Sequence, residues 1–556
     1  MPETCRIGIL NRWYEKKACW DACLLHICHS GKKCIDYIMG SKHLWWIIME
    51  EQQQNRQWLE EKKDQQGLQK QSENQEKEQQ EQQQDQQQKQ QQDQQQKQLQ
   101  KQQQDQQQKQ QQDQQQQFIK MTTEPVEKLL VKLAIPTIIS MMVTNIYNLV
   151  DTAFVGTLGT SQSGATGVVF GFMAILQAVA FMCGQGAGSI MSRRLGAQKL
   201  DEAIEYTSTG FFLSFSIGLL MSVVTFVFMR PILVILGSTD TIAPYAKTYI
   251  TYIALAAPFF TSSLTMNNLL RYEGKAKLGT VGMMSGAVVN IGLDAVLMFG
   301  LKLGIAGAGI ATAVSQLFSF GILLFMFLSG KTETRIAFRY ISKKAGTFFE
   351  IMATGFPSLL RQGLNSVATM LLNGCSGIYG DEAVAAMSIV SRISFFPMAV
   401  AIGIGQGFQP ISSFNYGAGK KDRVRRGFWI ALVLEEIVLA ILMIPMYGFA
   451  PQLIRLLRDD ANVVALGIRA LHLMSIGMLF VPLTMMVEMG FQSTGAKLLA
   501  SFGSSLRSGL VFIPTLLLFA RIRGMDGIQE SQPVSFVVSF VICLFLSKVY
   551  LKQLKN

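Results

Sequence analysis

The sequence predicts an all-α, polytopic membrane protein of about twelve transmembrane helices in two homologous six-helix lobes. Three observations carry this. Apolar runs of about 20 residues recur from residue 128 to 551, Lys and Arg concentrate in alternate connectors, and the second half repeats the first at the interval from Pro136 to Pro357. A run of that length spans the ~30 Å hydrocarbon core as a helix, the form that satisfies its own backbone hydrogen bonds in lipid.

Taken in order, residues 1–120 are a Gln-rich, low-complexity stretch with 17 Lys/Arg and 17 Asp/Glu, so the remainder carries the whole net charge of +12. Five of the eight cysteines (Cys5, Cys19, Cys23, Cys28 and Cys34) lie there with His26 and His29, at spacings that fit no familiar zinc pattern. The apolar piece Leu44–Met49 is too short to span. Further on, Asp85, Lys89, Asp93, Lys97, Lys101, Asp105, Lys109 and Asp113 recur every four residues, which places opposite charges one helical turn apart with no apolar face. A solvated helix or a disordered tract is expected. Met121-Thr122-Thr123-Glu124-Pro125 reads as a short cytoplasmic lead and an alternative natural start.

Twelve spans then follow, near 128–156, 163–191, 203–229, 241–269, 278–300 and 305–329, and near 347–373, 383–411, 424–449, 462–491, 498–520 and 529–551. The connectors after even-numbered spans are basic: Arg193, Arg194 and Lys199; Arg271, Lys275 and Lys277; Lys331 to Lys344; Lys420 to Arg426. Those after odd-numbered spans are poorer, which puts both termini in the cytoplasm. A charge excess scattered between apolar runs points to a bilayer and not to nucleic acid.

At the fixed 221-residue offset, Gly156 meets Gly377, Gly184-Gln185-Gly186 meets Gly405-Gln406-Gly407, and Gly196-Ala197 meets Gly417-Ala418. The chain is therefore expected to divide into lobes 121–343 and 344–556, inserted as parallel repeats. Two such halves rocking about a site at their interface would give alternating access.

Ionisable groups inside spans cost at least ~2.5–3.5 kcal/mol each at mid-bilayer, so each needs a reason. The first lobe has two carboxylates, Asp151 at the end of the first span and Asp294 in the fifth, with Asn290 four residues before Asp294 on the same helix face. Thr312 on the sixth span could add a hydroxyl. Such a group can hold a proton or ligate a hard cation through oxygen. Its alternative, an ion pair with a buried Lys or Arg, finds no mid-span partner in this lobe. The second lobe has Leu372 where the first has Asp151, and places Arg361, Arg392, Glu435, Glu436, His472, Glu488 and Arg507 in its spans as cavity or structural charges. Glu435 and Glu436 are adjacent, so they diverge by about 100° on a helix. The 28 Met and many Phe suit an adaptable cavity but also ordinary packing. No GxxxxGK[ST] loop, nucleophile elbow or HExxH occurs, so neither an ATP-driven pump nor an enzyme is expected.

The paired lobes, Asn148-Leu149-Val150-Asp151-Thr152-Ala153-Phe154-Val155-Gly156, Gly184-Gln185-Gly186, Leu195-Gly196-Ala197 and Arg271-Tyr272-Glu273-Gly274 together resemble the multidrug and toxic compound extrusion (MATE) family, in its DinF/MepA-like prokaryotic branch. The resemblance covers about 125–550 and omits the Gln-rich stretch. It implies efflux of small-molecule drugs and organic cations from the cell across the cytoplasmic membrane, in exchange for H⁺ or Na⁺, by a monomer with no other cofactor. It also implies that Asp151, Asn290, Asp294 and Thr312 form the cation-coupling site, and the metal site if Na⁺ is the ion. Tyr147, Gln185, Arg361, Asn365 and Glu488 are candidates for the substrate cavity. The NorM-like branch uses an acidic residue early in the seventh span, where this chain has Asn365, a departure from that pattern. The alternative is a lipid or lipid-linked glycan flippase of the same superfamily, with Arg361, Arg392 and Arg507 supplying a cationic cavity.

Overall fold

The structure is a computed structural model that describes residues 114–555 without a break, and single residues and short runs between 46 and 112. The cysteines and histidines of the first forty residues lie outside the described residues. The chain divides into two compact units, 1–107 and 108–556. The described residues of the first are helical and exposed, as a tract without an apolar face should be.

In the second unit, α1 (Val126–Gly156), α2 (Thr160–Gly196), α3 (Leu200–Val227), α4 (Ala243–Tyr272), α5 (Ala276–Asp294) and α6 (Ile305–Leu328) follow one another, with a seven-residue helix after α3. Next come α7 (Ala345–Gly377), α8 (Asp381–Gly417), α9 (Lys421–Gly448), α10 (Ala461–Met478), α11 (Val481–Thr494), α12 (Lys497–Ser505) and α13 (Phe512–Gln553). Among the described residues, nine helices are long and apolar enough to cross a membrane. The last of these, Lys497–Gln553, breaks at Gly524 (φ 62°) and folds back, so that Ser535 Oγ donates to the Arg507 carbonyl at 3.1 Å. It thereby supplies the eleventh and twelfth expected spans. The tenth is made of α10 and α11 end to end, and α1 and α7 occupy the first and seventh. The all-α, polytopic reading holds.

Packing explains the sequence pattern. On α3, Leu219, Leu220, Val223 and Val227 are exposed, as are Ile437, Ile441 and Ile444 on α9; these are lipid-facing stripes. The buried faces are rich in small residues such as Thr207, Ser208, Thr209, Ser412 and Ser413, which let helices approach closely. Two apolar clusters each stay within one lobe, one running from Val155 to Ala308 and the other from Ala368 to Phe536. Two others cross between lobes. One joins Met121, Leu129 and Leu133 to Phe408, Phe428 and Tyr550, and the other joins Ala187, Met191 and Leu270 to Ile351. Both crossing clusters lie toward the end of the bundle that carries the basic connectors. The lobes are thus cemented at this basic end.

Residues 114–123 continue that seam. Phe118 tilts against Phe414 with ring centroids 5.9 Å apart, and Gln117 Nε2 donates to the Glu273 carbonyl at 2.7 Å. The Met121 carbonyl accepts from Asn415 at 3.1 Å, and the Glu124 carbonyl from Arg423 at 2.7 Å. The connector between the lobes is pinned to the first: Glu273 accepts from the backbone N–H groups of Glu333 and Thr334 at 3.1 and 3.0 Å. Burial beneath this connector raises the Glu273 carboxyl above its ordinary range, against the pull of Lys275 and Thr334.

Candidate functional site

Three helices of the first lobe bring the expected cation group together. Asp151 lies near the end of α1, Asn290 and Asp294 lie one turn apart on α5, and Thr312 lies on α6. All four are buried, Asp294 completely. Asp294 lies within electrostatic range of the Asp151 carboxylate. Immediately after Asp294 the helix widens into a π turn, Ala295–Gly300, a local distortion that often marks functional sites.

The hydrogen-bond accounting is unusual. Tyr249 Oη donates to Asp151 Oδ2 at 3.2 Å. Among the described residues, the other Asp151 oxygen, both oxygens of Asp294, both polar atoms of the Asn290 amide and the Gln316 oxygen have no hydrogen-bond partner. Among the described residues neither carboxylate forms an ion pair. Buried polar atoms are rarely left unpaired in native proteins, so this concentration is one that a proton or a bound cation could complete. The donor set is oxygen throughout, with two carboxylates, an amide, hydroxyls and a second amide oxygen. It suits a proton or a hard monovalent cation and not a thiophilic metal. Among the described residues, no cluster of three or more His, Cys, Asp or Glu could hold a metal ion.

Two participants escaped the sequence reading. Gln316 lies four residues after Thr312 on α6, and that spacing could have flagged it. Tyr249, on α4, gave no signal; an aromatic in a mid-bilayer run reads as packing. Tyr147, expected in the substrate cavity, is buried beside this group, close to Gln316 and both carboxylates.

The other cavity candidates lie elsewhere. Gln185, Arg361 and Glu488 are buried together in the contact between lobes. Arg361 Nη1 donates to Glu488 Oε1 at 2.7 Å, while Nη2 reaches Gln185 Oε1 at 3.3 Å. Ser358 Oγ also donates to Gln185 Oε1, at 2.6 Å, and Gln492 Nε2 donates to Ser358 Oγ at 2.8 Å. Gln409 Nε2 completes the chain by donating to Gln492 Oε1 at 2.9 Å. Asn365, one turn beyond Arg361 on α7, is exposed, as is Arg392 on α8. Glu435 is fully buried, with neither carboxylate oxygen hydrogen-bonded among the described residues, whereas Glu436 is half-buried, as their divergence requires. His472 stacks on Tyr447 with centroids 4.1 Å apart.

Comparison with known proteins agrees with this architecture. The MatE family model matches residues 136–296 and again 357–517, two segments separated by the 221-residue interval of the internal repeat. The multidrug export protein MepA of Staphylococcus haemolyticus is 26% identical over 439 residues, 77% of this chain and 94% of that protein. MepA of Staphylococcus aureus strain MSSA476 is 25% identical over 412 residues, 73% of this chain and 89% of that protein. Among solved structures, an outward-facing multidrug resistance MATE transporter of the MOP superfamily superposes with a TM-score of 0.74 at 22% identity, covering 79% of this chain and 98% of its own. A MATE structure in complex with MaL6 gives 0.74 at 23% identity, over 79% and 99%. A family model that matches both lobes in register with their repeat leaves one assignment: the chain belongs to the MatE family of transporters.

Proposed function

We propose that this transporter exports lipophilic, cationic organic compounds in exchange for H⁺ or Na⁺, by alternating access between its two lobes. The observation that carries the coupling is the set of orphaned oxygens on α1, α5 and α6, buried without a basic partner. Charges this deep are retained where their occupancy changes during function. An ion drives a transition only by binding two states unequally. A site confined to one lobe does so if its helices rearrange as the lobes move, and the π turn at Asp294 is where α5 can yield.

The basic end faces the cytoplasm on the charge rule, which places both termini there. Contacts cemented at that end then correspond to a state closed to the cytoplasm. The MepA relatives are named for multidrug export, and drugs and organic cations are the substrates we assign here. The flippase alternative needs free arginines in a cavity, and the burial of Arg361 against Glu488 withdraws one of its three.

The test is transport by purified protein in liposomes, with imposed H⁺ or Na⁺ gradients and ethidium as the probe. Gradient-driven ethidium movement that Asp294→Asn abolishes is expected. Ethidium movement indifferent to both gradients, or movement of a lipid-linked sugar instead, would overturn the reading.

A further inference from the structure

Gln185 and Gln406 are counterparts in the repeat, each flanked by glycines. Each is reached by an arginine from the opposite lobe: Arg361 on α7 reaches Gln185, and Arg271 on α4 donates to the Gln406 oxygen. The two clasps are chemically unequal. Arg361 keeps a carboxylate within its own lobe, Glu488, at 2.7 Å. Among the described residues, Arg271 has only neutral hydrogen-bond partners, Gln406 across the interface and Asn268 one turn back on its own helix, and its Nε has none. Arg271 is 4% exposed, Asn268 0% and Gln406 1%. Among the described residues Arg271 forms no ion pair.

Burying a guanidinium without a counter-charge is costly, and hydrogen bonds to neutral amides only partly offset it. Separation of the lobes at the basic end would return Arg271 to water while leaving the Arg361–Glu488 pair intact. The closed state therefore carries an electrostatic penalty that the open state does not, confined to one of the two arginine–glutamine clasps. We propose that Arg271 and Gln406 are positioning residues that set the opening equilibrium. The Arg271 charge works against closure, and the Gln406 amide makes closure tolerable.

This rests on the alternating-access reading and predicts shifts of opposite sign. Arg271→Met removes the penalty and favours the closed state. Gln406→Met leaves the penalty and removes its relief, so it favours opening, by roughly 10- to 100-fold in the equilibrium constant for one hydrogen bond to a buried charge. The double variant R271M/Q406M removes the buried charge together with its amide partner across the interface and strands only the Asn268 oxygen within its own lobe, so it is no more open than wild type. A merely structural clasp would loosen in all three.

The experiment places spin labels on cysteines at Ala197 and Asp422, one exposed position on each lobe at the basic end, in a background without accessible cysteines, in liposomes. Double electron–electron resonance then reads the distance between lobes. The expected result is a population shifted to long distances in Q406M and to short distances in R271M. Gln406→Asn, which shortens the amide but keeps its polarity, gives the same sign as Q406M if that variant folds poorly. Tetraphenylphosphonium added from the basic side binds more tightly in Q406M, in proportion to the gain in open fraction. Opening in R271M, or unchanged distances in both Q406M and Q406N, overturns the proposal. Distances that shift as stated in a protein that moves no organic cation would leave this inference standing and remove the substrate assignment.

Discussion

Gly196 and Gly417 stand 221 residues apart and make the same contact from opposite sides. A Cβ on Gly196 would collide with the carbonyl of Phe414, and one on Gly417 with the carbonyl of Arg193, the repeat counterpart of Phe414. The pseudo-symmetry axis of the molecule therefore passes between the ends of α2 and α8, and the lobes meet there backbone to backbone. Gly196→Ala and Gly417→Ala should each push the basic end apart at a cost of about 1–3 kcal/mol. The double variant should cost less than the sum, because both side chains pry at one contact. Thermal unfolding in detergent checks this. Strict additivity would place the two glycines in independent contacts.

The acidic group on α1 and α5 should govern coupling. Asp151→Asn or Asp294→Asn is expected to abolish gradient-driven ethidium export while substrate binding persists. One H⁺ moving down ~100 mV supplies about 2.3 kcal/mol, which such variants could no longer capture. Asn290→Ala and Tyr249→Phe should weaken coupling less, and Thr312→Ala least, unless Na⁺ is the ion and needs that oxygen. Export and equilibrium dye binding measured on the same preparations separate the two effects. Full, gradient-dependent export by both Asp variants would move coupling to the second lobe.

A chain beginning at Met121 loses the Gln117 hydrogen bond to Glu273 and the Phe118–Phe414 contact, but keeps the Met121 and Glu124 carbonyls that Asn415 and Arg423 grip. Such a chain should insert and export, with stability lowered by roughly 1–3 kcal/mol for one buried aromatic and one hydrogen bond. Comparison of abundance, unfolding and ethidium export with the full chain decides it. Export lost at normal membrane abundance would make residues before Met121 part of the transport machinery.

How far the sequence could be read depended on the kind of signal. Helix content, the repeat and the acidic residues were legible because each is periodic or costly: an Asp in an apolar run announces itself, and Asn290 and Asp294 share a face by spacing alone. Tyr249 was invisible because a tyrosine between apolar residues is compatible with packing, and only its contact with Asp151 across two helices shows its part. Gln185, Arg361 and Glu488 were legible as polar and intramembrane, but not as partners. Their meeting depends on which ends of α2, α7 and α11 cross, and no local pattern encodes that. Residues 114–118 read as one more stretch of glutamine, yet Gln117 and Phe118 are held by residues more than 150 positions away.

The Arg361–Glu488 pair gives the sharpest stability test, because both charges are buried, at 5% and 3% exposure. Removing one partner strands the other in a low-dielectric contact, at a cost of about 3–5 kcal/mol. Arg361→Met and Glu488→Met should each lower the unfolding midpoint steeply. The double variant R361M/E488M replaces the pair with apolar side chains of comparable length and should recover most of that loss, since buried pairs often break even against such replacements. It still leaves Gln185 without its arginine, although Ser358 at 2.6 Å continues to satisfy the same oxygen. Recovery in the double variant would assign the single-variant losses to the stranded charge. A double variant as unstable as the sum of the singles would instead mean that each residue supports the lobe through contacts of its own.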